Sequence, residues 1–269
     1  MTGVQTCALP ISVPAAVEAA EANGVKAFPS AVEAVVGAQV VITMLPSGPI
    51  VKALYDDILP AATTGALFID SSTISVDDAR RINAQATERG FAQVDAPVSG
   101  GVKGAVAGTL AFMVGGTEAA FAAARSTLDP MAGKIIHCGG TGAGQAAKVC
   151  NNMVLAVQQI AVGEAFKLAE KLGLSDQALY DVITGATGNC WAVQTNCPVP
   201  GPVPTSPANN DFKPGFATAL MNKDLGLAMD AVAGTGARAP LGTHAAQLYR
   251  AFAEQHSGLD FSAIIQTLR

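Results

Sequence analysis

The chain has 269 residues, enough for one large domain or two of ordinary size. Half of it is apolar and only 14% is charged, against roughly 25% in typical soluble domains, a balance that excludes disorder. A net charge of −5 gives no basic footprint for nucleic acid, and no run of about 18 uncharged apolar residues predicts a membrane span. The five cysteines (Cys7, Cys138, Cys150, Cys190 and Cys197) are odd in number and contain no C-x-x-C pair, so free thiols are expected, with neither a disulfide framework nor a zinc site. The first residues lack the basic start and long apolar stretch of a signal peptide, which predicts a cytoplasmic protein.

In chain order, Val13–Ala22 reads as an Ala/Glu helix stopped by Asn23-Gly24, and Val25–Phe28 as a short strand. Ser30 caps a helix running to about Val36. Gln39–Leu45 is a continuous apolar and β-branched run, the form of a strand buried on both faces. Ala66–Asp70 and Phe91–Asp95 are two further strands, separated by a helix over Ser75–Glu88. Leu110–Val114 and Lys134–His137 follow, with the helix Thr117–Leu128 between them. Strands spaced by helices in this way predict βαβ units and a largely parallel sheet.

After Gly139 no strand pattern recurs. Gly142–Leu172, Asp176–Ile183, Ala217–Ala233, Leu241–Gln255 and Phe261–Leu268 all read as helices. Between them, Asn189–Gly215 carries six prolines and is too broken for regular structure. The fold class is therefore α/β and Rossmann-like over residues 13–141, followed by an all-helical domain over 142–269.

Gly142-Ala143-Gly144-Gln145-Ala146-Ala147 matches G-x-G-x-x-A after a strand and at the start of a helix, with Glu164 some twenty residues on. The dinucleotide fingerprint requires that helix to return into a second parallel strand, whereas here it runs on past Glu164, so the motif is a decoy for cofactor binding. The proper place for such a loop lies ahead of Val13, where only twelve residues stand, with Gly3 their one glycine. A strand, turn, helix and strand need roughly 30 residues. Residues 1–12 are thus expected to be foreign, with the text Val4–Ile11 resembling translated adapter DNA, and the sheet to be an N-terminally truncated remnant.

Several strings in order resemble the β-hydroxyacid dehydrogenase family: Thr43-Met44-Leu45-Pro46, Ile69-Asp70-Ser71-Ser72-Thr73, Asp95-Ala96-Pro97-Val98-Ser99-Gly100-Gly101, Phe112-Met113-Val114-Gly115-Gly116, Gly142–Asn152 and Leu220–Leu225. Pro198–Gly201 followed by Ser206–Asn210 is similar to its 3-hydroxyisobutyrate branch. The resemblance covers about Val13 to Arg269. It implies an NAD-dependent oxidation of a small 3-hydroxy acid, 3-hydroxyisobutyrate giving methylmalonate semialdehyde, as in valine degradation. A homodimer or homotetramer is implied as well, with the apolar helix Met153–Phe166 buried between domains or subunits. Neither a membrane nor a nucleic acid is an expected partner.

Lys148 and Asn152 are four apart on a predicted helix and share a face. A lysine of lowered pKa can take a proton, and a helix N-terminus pushes in that direction. Spacing alone leaves a surface lysine with an Asn neighbour as the alternative; the resemblance makes Lys148 the catalytic base and Asn152 a substrate hydrogen-bonder. The turn Ser99-Gly100-Gly101 can turn backbone N–H groups toward an anion, and by resemblance it holds the substrate carboxylate. Lys223 is implied near the nicotinamide and Asp224 as an orienting group. Trp191 and Phe216 are implied as apolar walls for the substrate, with core packing as their bland alternative. Leu45, Pro46 and Thr73 are the implied cofactor contacts, at carboxyl ends of strands where such sheets bind ligands. Ile50 stands where relatives carry a polar residue. His137, His244 and His256 are dispersed and are read as structural, and no cluster suggests a metal. Two alternatives stay open: a fragment unable to bind NAD, with an unprotected sheet edge, and a tartronate-semialdehyde reductase-like enzyme. NAD cannot be told from NADP on these residues.

Overall fold

A computed structural model describes residues 14–268; the reading of residues 1–12 as foreign lies outside these. The chain divides into two compact units, one holding the residues up to Ser99 together with Gly108–Ala146, the other holding Gly100–Ala107 and Ala147–Arg269.

The first unit contains helices α1 (Pro14–Ala22) and α2 (Ala31–Val35), strand β1 (Val40–Thr43), α3 (Gly48–Ile58), β2 (Leu67–Asp70), α4 (Val76–Glu88), β3 (Ala92–Asp95) and β4 (Val98–Ser99). After the short helix α5 (Gly101–Ala107), which groups with the second unit, come β5 (Leu110–Gly115), α6 (Glu118–Leu128) and β6 (Ala132–Gly139). Hydroxyls do the starting work expected of them: Ser30, Ser75 and Thr117 each accept the backbone N–H three residues on, closing the first turns of α2, α4 and α6. The α/β, Rossmann-like class stands, but the sheet is mixed. β1, β2 and β3 pair in parallel, whereas β5 runs antiparallel to β4 and to the end of β3, and parallel to β6. A parallel return needs a crossover of a dozen or more residues. Between β3 and β5 the chain spends part of that length on β4 and the rest on a helix of only 7 residues, so it comes back reversed.

Two strand expectations need correcting. Val25–Phe28 forms no ladder; the Lys26 ammonium lies 4.6 Å from the Phe28 ring centroid, and no described strand pairs with the segment. The run Gln39–Leu45 is a strand only over Val40–Thr43, and it is open on one face, with Ile42 46% exposed. Helix α3 was not anticipated, although Pro49 in its first turn and buried Val51, Tyr55 and Ile58 at helical spacing carry its signal. Tyr55 then packs on Phe68 and Phe68 on Phe91, at centroid distances of 5.3 and 5.2 Å, in the core on one side of the sheet.

The second unit is helical: α7 (Ala143–Lys171, whose first turn belongs to the first unit), α8 (Asp176–Gly185), α9 (Trp191–Gln194), α10 (Thr218–Thr235) and α11 (Pro240–His256). Phe261–Thr267 winds as a 3-10 helix rather than an α-helix. Asn189–Gly215 is broken as its prolines dictate, apart from α9 and a 3-10 turn at Pro207–Asn209. Its end is strained, with Asp211 and Phe212 left-handed at φ 46° and 53°. Met221, Leu225, Tyr249, Phe252 and Phe261 build one core here, and Val162, Phe166, Val193 and Cys197 a second. No helix among the described residues is long and apolar enough to cross a membrane.

Candidate active site

The carboxyl ends of β1, β2 and β3 lie side by side, with Thr43 opposite Asp70 and Asp70 opposite Asp95. Leu45 and Pro46 follow β1, and Thr73 follows β2, all three partly or fully exposed. Buried Asp70 ties these loops together. Its Oδ1 accepts from Thr43 Oγ1 (2.8 Å), Ser72 Oγ (2.6 Å) and the Ser72 N–H (3.2 Å), while Ser72 Oγ accepts the Leu45 N–H at 2.8 Å. Burial pushes the Asp70 carboxyl up to about 6, the Asp95 charge adding to the rise and the hydrogen bonds from Ser72 and Thr43 opposing it. Gln145 grips the second loop from its other side: its Nε2 donates to the Ser72 carbonyl (2.7 Å) and its Oε1 accepts the Ile74 N–H (3.2 Å), so Thr73 sits between two fixed peptides.

The Gly142–Ala147 motif has a structural use. Buried Asp95 accepts the N–H of Gly142 (2.7 Å) and of Gln145 (2.9 Å), so the anion at the start of α7 is the protein's own carboxylate. A side chain at Gly144 would collide with the Met113 and Asp95 carbonyl oxygens.

In the second unit the structure brings four of the expected residues together. Lys148 and Asn152 lie one turn apart on α7, both buried, and Lys223 and Asp224 stand on α10. Asn152 Nδ2 donates to Asp224 Oδ2 at 2.5 Å, Asn151 Nδ2 donates to Asn152 Oδ1 at 3.0 Å, and Lys223 Nζ lies 3.9 Å from Asp224 Oδ1. Burial lowers the Lys148 pKa from its ordinary value, Asp224 pulling it back up and Lys223 pushing it further down. Burial raises the Asp224 carboxyl, with Lys148, Lys223 and the Asn152 hydrogen bond opposing. The helix N-terminus invoked from the sequence is not the cause: Lys148 is the sixth residue of α7, beyond the first turn to which the dipole effect is confined.

The Ser99-Gly100-Gly101 turn is built differently from a plain loop. Ser99 ends β4, Gly100 and Gly101 adopt φ 128° and 60°, and Gly101 opens α5. A side chain at Gly101 would press to 3.0 Å on the Gly215 carbonyl oxygen. Gly215 and Phe216 are in turn held by Asp260, which sequence reasoning missed. Its Oδ2 accepts the N–H of Gly215 (3.0 Å) and Phe216 (3.1 Å), and its Oδ1 accepts from Asn196 Nδ2 (3.1 Å), Ser262 Oγ (2.7 Å) and the Ser262 N–H (3.0 Å). Its one sequence signal was Asp-x-Ser, a short local cap. Phe216 spends part of its ring on Phe261, edge-on at 5.7 Å, so the core-packing alternative holds for that contact. Trp191 opens α9 and is 48% exposed. His137 stacks on Phe121 at 4.5 Å and lies 2.9 Å from the Gly116 carbonyl, a structural setting. No group of metal-ligating residues occurs among the described residues.

Comparison with known proteins shows the family. A family profile described as the NAD binding domain of 6-phosphogluconate dehydrogenase matches residues 3–140. A second, described as the NAD-binding region of NADP-dependent 3-hydroxyisobutyrate dehydrogenase, matches residues 142–268. A probable 3-hydroxyisobutyrate dehydrogenase of Mycobacterium tuberculosis is 72% identical over 256 residues, 95% of this chain and 87% of that protein. The structure of the Mycobacterium tuberculosis 3-hydroxyisobutyrate dehydrogenase with L-serine superimposes with a TM-score of 0.92 at 72% identity, covering 96% of this chain and 88% of that one. An NAD-dependent L-serine dehydrogenase of Pseudomonas aeruginosa is 44% identical over 256 residues, 94% of this chain and 86% of that protein. The chain belongs to the 3-hydroxyisobutyrate dehydrogenase family of NAD(P)-dependent oxidoreductases.

The described strand ends fit such a cofactor. Two adjacent parallel strands present loops of backbone polar groups with the accessible side chains of Leu45, Pro46 and Thr73, at the sheet edge where dinucleotides lie in this fold. Because the Asp260 carboxylate serves donors from three segments, with those of Asn196 and Ser262 buried, Asp260→Ala should cost about 3 kcal/mol through the buried donors it leaves unsatisfied, read as a lower urea midpoint at unchanged slope.

Proposed function

We propose that the chain oxidises 3-hydroxyisobutyrate to methylmalonate semialdehyde with NAD, the step that the family resemblance links to valine degradation. The observation that carries this reading is the buried Lys148–Asn152–Asp224 cluster, a lysine driven toward its neutral form beside an oriented hydrogen-bond donor. The nicotinamide, when bound, supplies the hydride acceptor. Neutral Lys148 then accepts the substrate hydroxyl proton on Nζ, while the second Nδ2 hydrogen of Asn152 orients that hydroxyl. Asp224 fixes Asn152 and stabilises the ammonium as it forms. The Ser99-Gly100-Gly101 turn receives the substrate carboxylate, Lys223 stands by the nicotinamide, and Trp191 with Phe216 walls the methyl group.

Lys148→Met should lower kcat by about 10²- to 10⁴-fold, the usual worth of a general base. In the unaltered enzyme kcat/KM should climb with pH as Lys148 deprotonates and level off below the ordinary lysine range, because burial lowers its pKa. Asp224 holds that pKa up, so Asp224→Asn should move the rising limb to lower pH, whatever it does to the plateau. An unmoved limb would separate Asp224 from the base.

A second substrate reading, L-serine, is favoured by the serine dehydrogenase relative and the serine-bound structure. The two candidates share the 3-hydroxy acid frame and differ by a methyl against an ammonium. Apolar walls at Trp191 and Phe216 favour the methyl, so kcat/KM for 3-hydroxyisobutyrate should exceed that for L-serine by about tenfold or more, the worth of one well-buried apolar group; the reverse order would assign serine instead.

We also propose a homodimer or homotetramer. Support comes from α7 and its end, where the apolar side chains of Val154, Leu168 and Leu172 are 51%, 60% and 75% exposed. Light scattering should give two or four times the mass of one chain; a monomer at micromolar concentration would refute it.

A further inference from the structure

We propose that Asp70 is a positioning residue for the dinucleotide, one buried carboxylate oxygen setting both strand-end loops, Leu45-Pro46 and Ser72-Thr73, without touching the cofactor. The inference rests on the reading that these loops hold the cofactor, and it adds a residue to which that reading gave no part.

The geometry is asymmetric. Asp70 Oδ1 accepts three hydrogen bonds, from Thr43 Oγ1 and from the hydroxyl and N–H of Ser72, while Oδ2, also buried, has no hydrogen-bond partner among the described residues. The bond from Ser72 decides the rest. A hydroxyl has one hydrogen, and Ser72 gives it to Asp70 at 2.6 Å, which turns its lone pairs toward the Leu45 N–H at 2.8 Å. The carboxylate therefore reaches the β1 loop through Ser72, the end of β1 through Thr43, and the β2 loop directly. Tyr55, with its ring packed on Phe68, stands 3.4 Å from Thr43 Oγ1 and closes the cluster from below. Gln145 fixes the far side of the β2 loop at Ser72 and Ile74, and the Ser71 N–H donates to the Thr43 carbonyl at 2.7 Å, so Asp70 adds side-chain bonds to a backbone link between the two strand ends.

The arrangement depends on charge. The titratable groups facing Asp70 are Tyr55 from α3 and Asp95 from β3; β1 presents Thr43 and the loop after β2 presents Ser72. Burial and the Asp70 charge push the Tyr55 phenol up, so it stays neutral, and Asp95 supplies negative charge nearby. Protonation of Asp70 weakens Oδ1 as an acceptor, releases the Ser72 hydroxyl and slackens the Leu45 loop. With the carboxyl titrating at about 6, dinucleotide affinity should fall as pH drops from 7.5 to 5.

The test uses the full chain and two substitutions, Asp70→Asn and Ser72→Ala. NAD binding is measured by calorimetry from pH 5 to 7.5, and amide exchange at Leu45 is measured by NMR without cofactor. Asp70→Asn should weaken NAD binding about tenfold at pH 7.5 and flatten its pH dependence, as loss of a charged acceptor implies. Both variants should speed exchange at Leu45 by a similar factor, and in the unaltered chain that exchange should quicken on acidification beyond its intrinsic pH trend. Unaltered NAD affinity in Asp70→Asn, or Leu45 exchange unchanged in Ser72→Ala, overturns the proposal. A parent chain that binds no NAD while Leu45 exchange responds as stated would sink the cofactor reading and leave the clamp standing. If Asp70→Asn does not fold, Ser72→Ala and the pH response of the parent chain decide.

Discussion

The structure turns on one capping interaction: the buried Asp95 carboxylate against the first N–H groups of α7. A helix start leaves several donors without partners, and a buried carboxylate needs donors to offset its desolvation. Each solves the other's problem at 2.7 and 2.9 Å. The contact also fixes the phase of the helix. With Gln145 pinned beside Asp95, its side chain reaches the Ser72–Ile74 loop. Gly144 is what permits the closeness, because a Cβ there has no room.

The Lys148 cluster obeys a different constraint. An isolated ammonium or carboxylate in an apolar interior is costly, and removing one partner of a buried pair costs more than removing both. Lys148 and Asp224 lower each other's cost without abolishing it, since burial still shifts each toward its neutral form. For the proposed role of Lys148 as base, that incomplete compensation is useful. A lysine fully paired would stay protonated and could not accept a proton; one with no acid nearby would have nothing to steady the charge once the proton arrived. Asp224 at one remove, bonded to Asn152 rather than to Lys148, gives the intermediate case.

Much of this was legible in the residues. Capping hydroxyls at Ser30, Ser75 and Thr117 mark helix starts by local chemistry, and the strands Leu67–Asp70 and Ala92–Asp95 are buried throughout or nearly so. The i, i+4 pair Lys148 and Asn152 could be placed on one face by periodicity alone. What spacing could not supply was partnership across distance. Asp224 meets Asn152 from 72 positions away, and Asp260 meets Gly215 from 45, so nothing local announces either bond. The strand misread at Val25–Phe28 has the same origin: strandedness is decided by a ladder partner, and propensity does not specify one. The reversal of β5 likewise depends on how a short connection is spent, which hydrophobic pattern does not record.

Asp70, Asp95 and Asp260 show a common economy. Each is almost wholly buried, each accepts backbone N–H groups, and each stands beside a loop that carries candidate ligand contacts. A loop that binds small polar molecules must keep some backbone groups unspent, and so cannot stabilise itself through its own hydrogen bonds. Rigidity then has to come from a neighbour that uses the inward-facing donors and leaves the outward-facing ones alone. A carboxylate suits that task, because it accepts several bonds from one point and donates none that could compete with the ligand. The cost is desolvation, visible in the raised pKa of Asp70 and Asp95, and it confines such anchors to positions where several donors converge. Precise geometry at an exposed site is thus obtained from charges placed just beneath it.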